Sequence, residues 1–212
     1  MVEGDIEFIR KVLRLNLLQS PCLEVGAAIE EQNAKKLILE AGLEYLGADI
    51  KPAPSIDFVV DFEDSKGVSE KFNGKRVRSI LILNVLEHVF DPIGFLDNAF
   101  SILENKGTCV IIAPSVWPLH NFPYDFWRIN PDFYIQYVKR RNLEIIDSLF
   151  EYIGFCNVKE NMVASNEYNL PPPSLSKFKT LWSRAIHKFF NTYGRSMCFP
   201  PHVGVGVVIR KP

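Results

Sequence analysis

The chain has 212 residues, of which 47% are hydrophobic and 23% charged, and its formal net charge is −1. This is the composition of a globular chain and excludes an intrinsically disordered one. The near-neutral charge supplies no overall field for nucleic acid, and the longest apolar stretches, SILILNVL and TCVIIAP, are too short to span a bilayer. The length suffices for one domain with a full core. The opening MVEGDIEFIRK has early acids and no apolar stretch, so it does not read as a signal peptide. Four cysteines stand at 22, 109, 156 and 198, with no CxxC pair and no metal-ligand spacing. Cys22 and Cys109 lie in apolar runs, where a free thiol behaves as a small hydrophobe. A soluble protein of the reducing cytoplasm is expected, with no metal, no nucleic-acid partner and no stable membrane insertion.

The spacing of Ile6, Ile9, Val12 and Leu13 predicts an amphipathic helix over residues 5–18. PCLEVG (21–26) reads as a short strand ending in glycine. Residues 30–42 read as a helix that opens on Glu30 and Glu31 and stops at Gly42. Further strands are predicted at 44–50 and 56–62, on either side of a proline-broken turn, and a short helix fits within 64–75. Residues 78–85 form a nearly continuous apolar run, as a strand covered on both faces requires. A helix is predicted over 91–107, with Pro92 in its first turn, a stripe of Phe95, Leu96, Ala99, Ile102 and Leu103, and Gly107 at its end. A fifth strand follows at 108–114. The pattern then breaks into the aromatic and proline-rich SVWPLHNFPYDFWRINPDFY, followed by a helix at 131–141 and a strand at 143–153. NLPPPS (169–174) is a stiff connector to a basic, aromatic, amphipathic helix at 174–193, and HVGVGVVIR closes the chain as a last strand.

Strands alternating with helices imply a parallel sheet covered on both faces, with a ligand held beyond the carboxyl ends of the strands. The residues just past the first five strands are then Gly26–Glu30, Asp49, Asp61, Asn84–His88 and Pro114–Trp117. Gly26 lets the backbone turn tightly against a ligand, and the helix that follows can hold an anionic group at its N-terminus. Asp49 comes 23 residues later, at the end of the second strand, where an acid can accept hydrogen bonds from a ribose diol. Together these features point to nucleoside binding. A dinucleotide oxidoreductase needs G-x-G-x-x-G to cradle a pyrophosphate; only Gly26 of that set is present, so an NAD enzyme is the lesser alternative.

Four segments in order, CLEVGAAIE, YLGADIKP, FVVDFED and LILNVLEHVFDPIGFLDNAFSILENKGTCVIIAP, resemble the class I S-adenosylmethionine (SAM)-dependent methyltransferases, in the broad group that carries LEHV-x-DP after the fourth strand. The resemblance covers roughly residues 20–135. It implies an α/β, Rossmann-like three-layer sandwich with a seven-stranded, mostly parallel sheet, whose antiparallel last strand tucks between strands five and six. It also implies a single domain over 1–212, with a core of about 20–155 plus 203–210 and a helical lid or insertion at about 170–195.

By this resemblance SAM is the cofactor. Glu24, Gly26 and Ala28 approach its methionine end, Asp49 holds the ribose hydroxyls with Ile50 next to it, Asp61 bonds the adenine amine, Phe62 lies near the ring, and Asn84 and Leu86 line the methionyl and sulfonium region. The family's first loop carries G-x-G-x-G, whereas here Ala28 and Glu30 occupy its second and third positions. Glu30 would repel the methionine carboxylate unless it turns towards the amino group.

His88 is the natural general base, if the acceptor must lose a proton; alternatively it pairs with Glu87 or caps the loop. His120 and Tyr124, with Asp125 and Arg128, lie after the fifth strand where the acceptor enters. The bland alternative is that Phe122, Phe126 and Trp127 only pack this loop onto the core. FPYDFWRINPDFY resembles a segment of relatives that act on sugars. The helix at 174–193 reads as core packing, a lid, a dimer face or a membrane-surface helix. The expectation is methyl transfer to oxygen or nitrogen of a small-molecule or sugar-containing acceptor, with a homodimer compatible. The alternative is a non-catalytic protein of the same fold that acts through protein contacts.

Overall fold

The structure is a computed structural model that describes residues 3–30, 33–117, 124–153 and 204–212, together with Trp182 and Ala185. The predicted helix at 174–193 lies outside the described residues apart from those two positions, as do His120, Cys156 and Cys198. The described elements are α1 (Glu3–Arg14), β1 (Cys22–Val25), α2 (Lys35–Glu40), β2 (Tyr45–Asp49), β3 (Phe58–Val59), α3 (Ser65–Phe72), β4 (Val77–Leu83), α4 (Pro92–Ile102), β5 (Leu103–Pro114), α5 (Pro131–Arg141), β6 (Glu144–Ile153) and β7 (Gly204–Arg210). A 3₁₀ turn, Leu86–His88, follows β4.

The strands form one sheet in the order β3-β2-β1-β4-β5-β7-β6. The pairs from β3 to β5 are parallel, and β7 runs antiparallel between β5 and β6, where the closing strand was expected. Successive side chains point to opposite faces. Cys22, Leu81, Leu83, Val110, Ile112 and Val208 therefore pack with Phe8, Ile9 and Val12 of α1 and Ile38 of α2. Their neighbours Leu23, Ile80, Ile82, Cys109, Ile111 and Val207 pack on the other face with Phe72 of α3, Leu96 of α4 and Tyr134 of α5. Each such aliphatic side chain contributes roughly 1.5–3 kcal/mol by leaving water. Burial pushes the Cys22 thiol up to about 11 and raises that of Cys109 as well, so both are inert packing groups.

Three predicted boundaries are corrected. The helix expected over 91–107 ends at Ile102, because Leu103 takes extended backbone and pairs with Val77. The ladder then breaks until Thr108 meets Ser79, and Lys106 adopts a left-handed φ of 64° in the interruption. Lys211 holds this shape: its Nζ donates to the carbonyls of Phe100 and Leu103, satisfying orphan acceptors at the helix end. The strand expected over 56–62 shrinks to Phe58–Val59. The preceding loop lies directly on β2: a Cβ on Gly47 would sit 2.0 Å from the Ser55 carbonyl oxygen. The helix expected from residue 30 is described as α2 from Lys35, and the amide of Ala34 just before it donates to the carboxylate of Glu24.

Candidate functional site

The strand order reverses between β1 and β4, and the two connections leaving this point run to opposite sides of the sheet. This is the topological switch point, and open α/β sheets bind ligands at the carboxyl edge of such a point. Gly26 turns the chain at this edge with φ +83°. A Cβ at this position would lie 2.4 Å from Val85 Cγ2, so the first loop and the loop after β4 close onto one another only because residue 26 has no side chain. The amides of Gly26 and Ala27 both donate to the Ala48 carbonyl, at 2.8 and 3.3 Å, and the Ser55 hydroxyl donates to the Ala27 carbonyl at 3.0 Å.

Asp49 ends β2 beside this turn. Its Oδ2 accepts from the Ala28 amide and its Oδ1 from the Lys51 amide, both at 3.0 Å. Each carboxylate oxygen keeps a lone pair, so Asp49 can brace the loop and still accept from a ligand. Ile50, next to it, is 56% exposed and offers an apolar surface at the same edge. Asp61 is exposed, with Oδ1 accepting from the Glu63 amide at 2.8 Å.

Other predicted residues take different places. Phe62 is 1% exposed and packs against Phe72 and Phe95, so its ring belongs to the core and is not open to a ligand. Leu86 is likewise enclosed in the core, and Val85 is the side chain that meets the glycine turn. Asn84 takes a left-handed φ of 55°, and its Nδ2 donates to Asp5 Oδ2 of α1 at 3.0 Å. Ala28 is half-buried and Glu30 exposed on the first loop.

Two acids, one in β1 and one in the turn after β4, are buried. Glu24, in β1, accepts from the Ala34 amide at 2.8 Å and the Tyr45 hydroxyl at 2.9 Å. Burial pushes its carboxyl up to about 7 against these two donors. Glu87 is pushed up to about 7 as well, first by burial and then by the negative charges of Asp125 and Asp5. Its Oε2 has no hydrogen-bond partner among the described residues, and the same holds for Ser115 Oγ and Tyr134 Oη.

The segment after β5 lies over this turn. The Phe126 and Trp127 amides donate to the Glu87 carbonyl, and the Trp127 indole donates to the Val89 carbonyl at 2.9 Å. Arg128 forms a two-pronged pair with Asp125, with Nη2 donating to Oδ2 at 2.7 Å, and its Nε donates to the Trp117 carbonyl at 3.0 Å. Nδ1–H of His88 donates to the Tyr124 carbonyl, which fixes the tautomer, and Nε2 lies 3.8 Å from Glu87 Oε1. The structure thus brings Tyr124 to His88 through its main chain, while the Tyr124 ring is exposed beside that of Phe126. The Trp127 indole is tied to the Val89 carbonyl yet its ring is 44% exposed, and with Phe90, Tyr124 and Phe126 it leaves an exposed aromatic surface beside the turn after β4. Among the described residues no cluster of His, Cys, Asp and Glu is arranged to hold a metal ion.

No family model matches the sequence, and no curated protein matches it. Solved structures do. The chain resembles a SAM-dependent methyltransferase of Archaeoglobus fulgidus with a TM-score of 0.56 at 18% identity, over 99% of this chain and 95% of that one. It resembles the 1,6-didemethyltoxoflavin-N1-methyltransferase of Burkholderia thailandensis, solved with its substrate and S-adenosylhomocysteine (SAH), with a TM-score of 0.56 at 10% identity over 96% and 76% of the two chains. The magnesium protoporphyrin IX methyltransferase of Synechocystis PCC 6803, solved with SAM, gives 0.54 at 9% identity over 99% and 78%. The fold is that of the class I SAM-dependent methyltransferases.

Proposed function

We propose that the chain is a SAM-dependent methyltransferase that acts at oxygen or nitrogen of a small-molecule or sugar-containing acceptor. The observation that carries this reading is the closed contact of Gly26 with Val85 beside Asp49, at the switch point of a methyltransferase fold. The residues present fit the cofactor: a glycine turn with no side chain of its own, an acid with free lone pairs for the ribose diol, and an exposed Ile50 for the adenine face. The bound cofactor supplies an electrophilic methyl group on a sulfonium. The protein's task is then to hold donor and acceptor in line and exclude water. Asp49 holds the ribose, Asp61 can reach the adenine amine, and the segment 124–130 shields the turn after β4. Exposed Tyr124, Phe126 and Phe90 suit the flat face of a planar or sugar ring, with centroids 5.5 Å apart in each neighbouring pair.

No described helix is long and apolar enough to cross a membrane, and the two buried free thiols support a cytoplasmic setting. A second reading, a methyltransferase-like protein that works through protein contacts, is favoured by one feature: Ala28 and Glu30 replace glycines of the usual first loop.

Calorimetric titration with SAM and SAH separates the two. Micromolar binding is expected, weakened about tenfold to a hundredfold in Asp49→Ala, the loss of hydrogen bonds to a charged acceptor. Absence of heat up to millimolar SAM would favour the protein-contact reading instead.

A further inference from the structure

Glu87 lies in the 3₁₀ turn that begins one residue past Val85, and its side chain is 1% exposed. Its main-chain carbonyl accepts from the amides of Phe126 and Trp127, which holds the turn against the segment after β5. The charged and titratable groups facing it are Asp5 from α1, Asp125 and Arg128 from the segment after β5, His88 on its own turn and Tyr134 from α5. Arg128 directs both Nη atoms at Asp125, whose charge it largely neutralises. Asp5 adds a further buried acid. Burying a carboxylate oxygen with no donor is costly, and such a group persists where a ligand of opposite charge compensates.

We propose that Glu87 is the counter-charge for the sulfonium of SAM, and that it makes the site prefer the cationic cofactor over the neutral thioether product. This rests on the methyltransferase reading above. The carboxylate need not touch the sulfur: in a water-poor pocket an ion interacts over several ångströms, and loss of the positive charge on methyl transfer removes that attraction. Glu87 thereby promotes product release as well as cofactor capture. His88, with Nδ1 committed to the Tyr124 carbonyl and Nε2 towards Glu87, stands behind it as a positioning residue.

The test compares SAM and SAH affinities by calorimetry from pH 6 to pH 8. The two ligands share their nucleoside and amino-acid ends, so the ratio of affinities isolates the sulfur. Glu87 titrates near 7, and only its ionised fraction attracts the sulfonium. The SAM preference should rise about tenfold across this range. Repeating the SAM titration in buffers of different ionisation enthalpy should reveal a proton released on binding that SAH does not release. Glu87→Gln is expected to flatten the ratio and Glu87→Asp to retain the rise. Glu24→Gln should also retain it, which separates the two buried acids. A ratio independent of pH in the unmodified protein overturns the inference, even if neither variant folds. So does a rise that survives in Glu87→Gln. Failure of both ligands to bind at any pH overturns the methyltransferase reading itself.

Discussion

Gly26→Ala is expected to cost about 2–4 kcal/mol of stability and at least a hundredfold in SAM affinity. Two penalties combine. An L-residue held in the left-handed region costs roughly 1–2 kcal/mol, and Gly26 sits at φ +83°. The added methyl also arrives 2.4 Å from Val85 Cγ2, so one of the two loops must move and the contact that closes the cradle opens. The double variant Gly26→Ala/Val85→Ala separates them: it should recover the steric part of the loss and leave the backbone part. Urea denaturation reads the stability and calorimetry the affinity. Wild-type SAM affinity in Gly26→Ala would mean that the cofactor does not use this turn.

Glu87→Gln should stabilise the ligand-free protein by up to about 3 kcal/mol at pH 8 and leave it nearly unchanged at pH 4.5. The sign follows from the raised carboxyl. In the unfolded chain the group ionises near 4.5 and in the folded protein near 7. The folded state therefore holds the proton more tightly; stability is greatest below 4.5, falls as the pH rises to 7, and carries the full penalty above it. Glu24 behaves alike, with the same two values. Glu24→Gln should gain less, because Glu24 already accepts from the Ala34 amide and the Tyr45 hydroxyl, while a glutamine would bring an NH₂ with no acceptor there. Denaturant melts at the two pH values check both variants. Equal stabilisation at pH 4.5 and pH 8 would show that the gain is not electrostatic.

Much of the fold is legible in residue order, since β1, β4 and β5 announce themselves as apolar runs and the loops between them are short. The misses arise where distant chain decides local geometry. Nothing near Leu103 signals that a lysine more than a hundred residues away will cap the helix before it and draw the next residues into a strand. Phe58–Val59 is short because Gly47 lets the loop before it settle on β2, a contact invisible to periodicity. Gly26 and Asp49 stand out in the sequence because a positive φ and a strand end each constrain residue choice, and the structure places both at the sheet's carboxyl edge. Phe62 and Leu86 were not separable from ligand-facing neighbours, because residues just past a strand no longer alternate between faces. Glu87 drew less notice than His88 because an imidazole advertises chemistry in any context. A carboxylate becomes unusual only once it is buried, and burial is a property of the assembled site.

The hydrogen bond from Asn84 to Asp5 joins the first helix to the loop beyond β4. If ligand binding steadies that loop, linkage requires that it steady the docking of α1 by the same free energy. Saturating SAM should therefore slow amide hydrogen exchange along α1, although that helix is neither a strand nor a loop at the sheet's carboxyl edge. Asn84→Ala should uncouple the two, leaving α1 exchange at its ligand-free rate while the cofactor still binds. The N-terminal helix then serves as a reporter of occupancy, so the state of the pocket can be followed from a segment on the sheet's outer face.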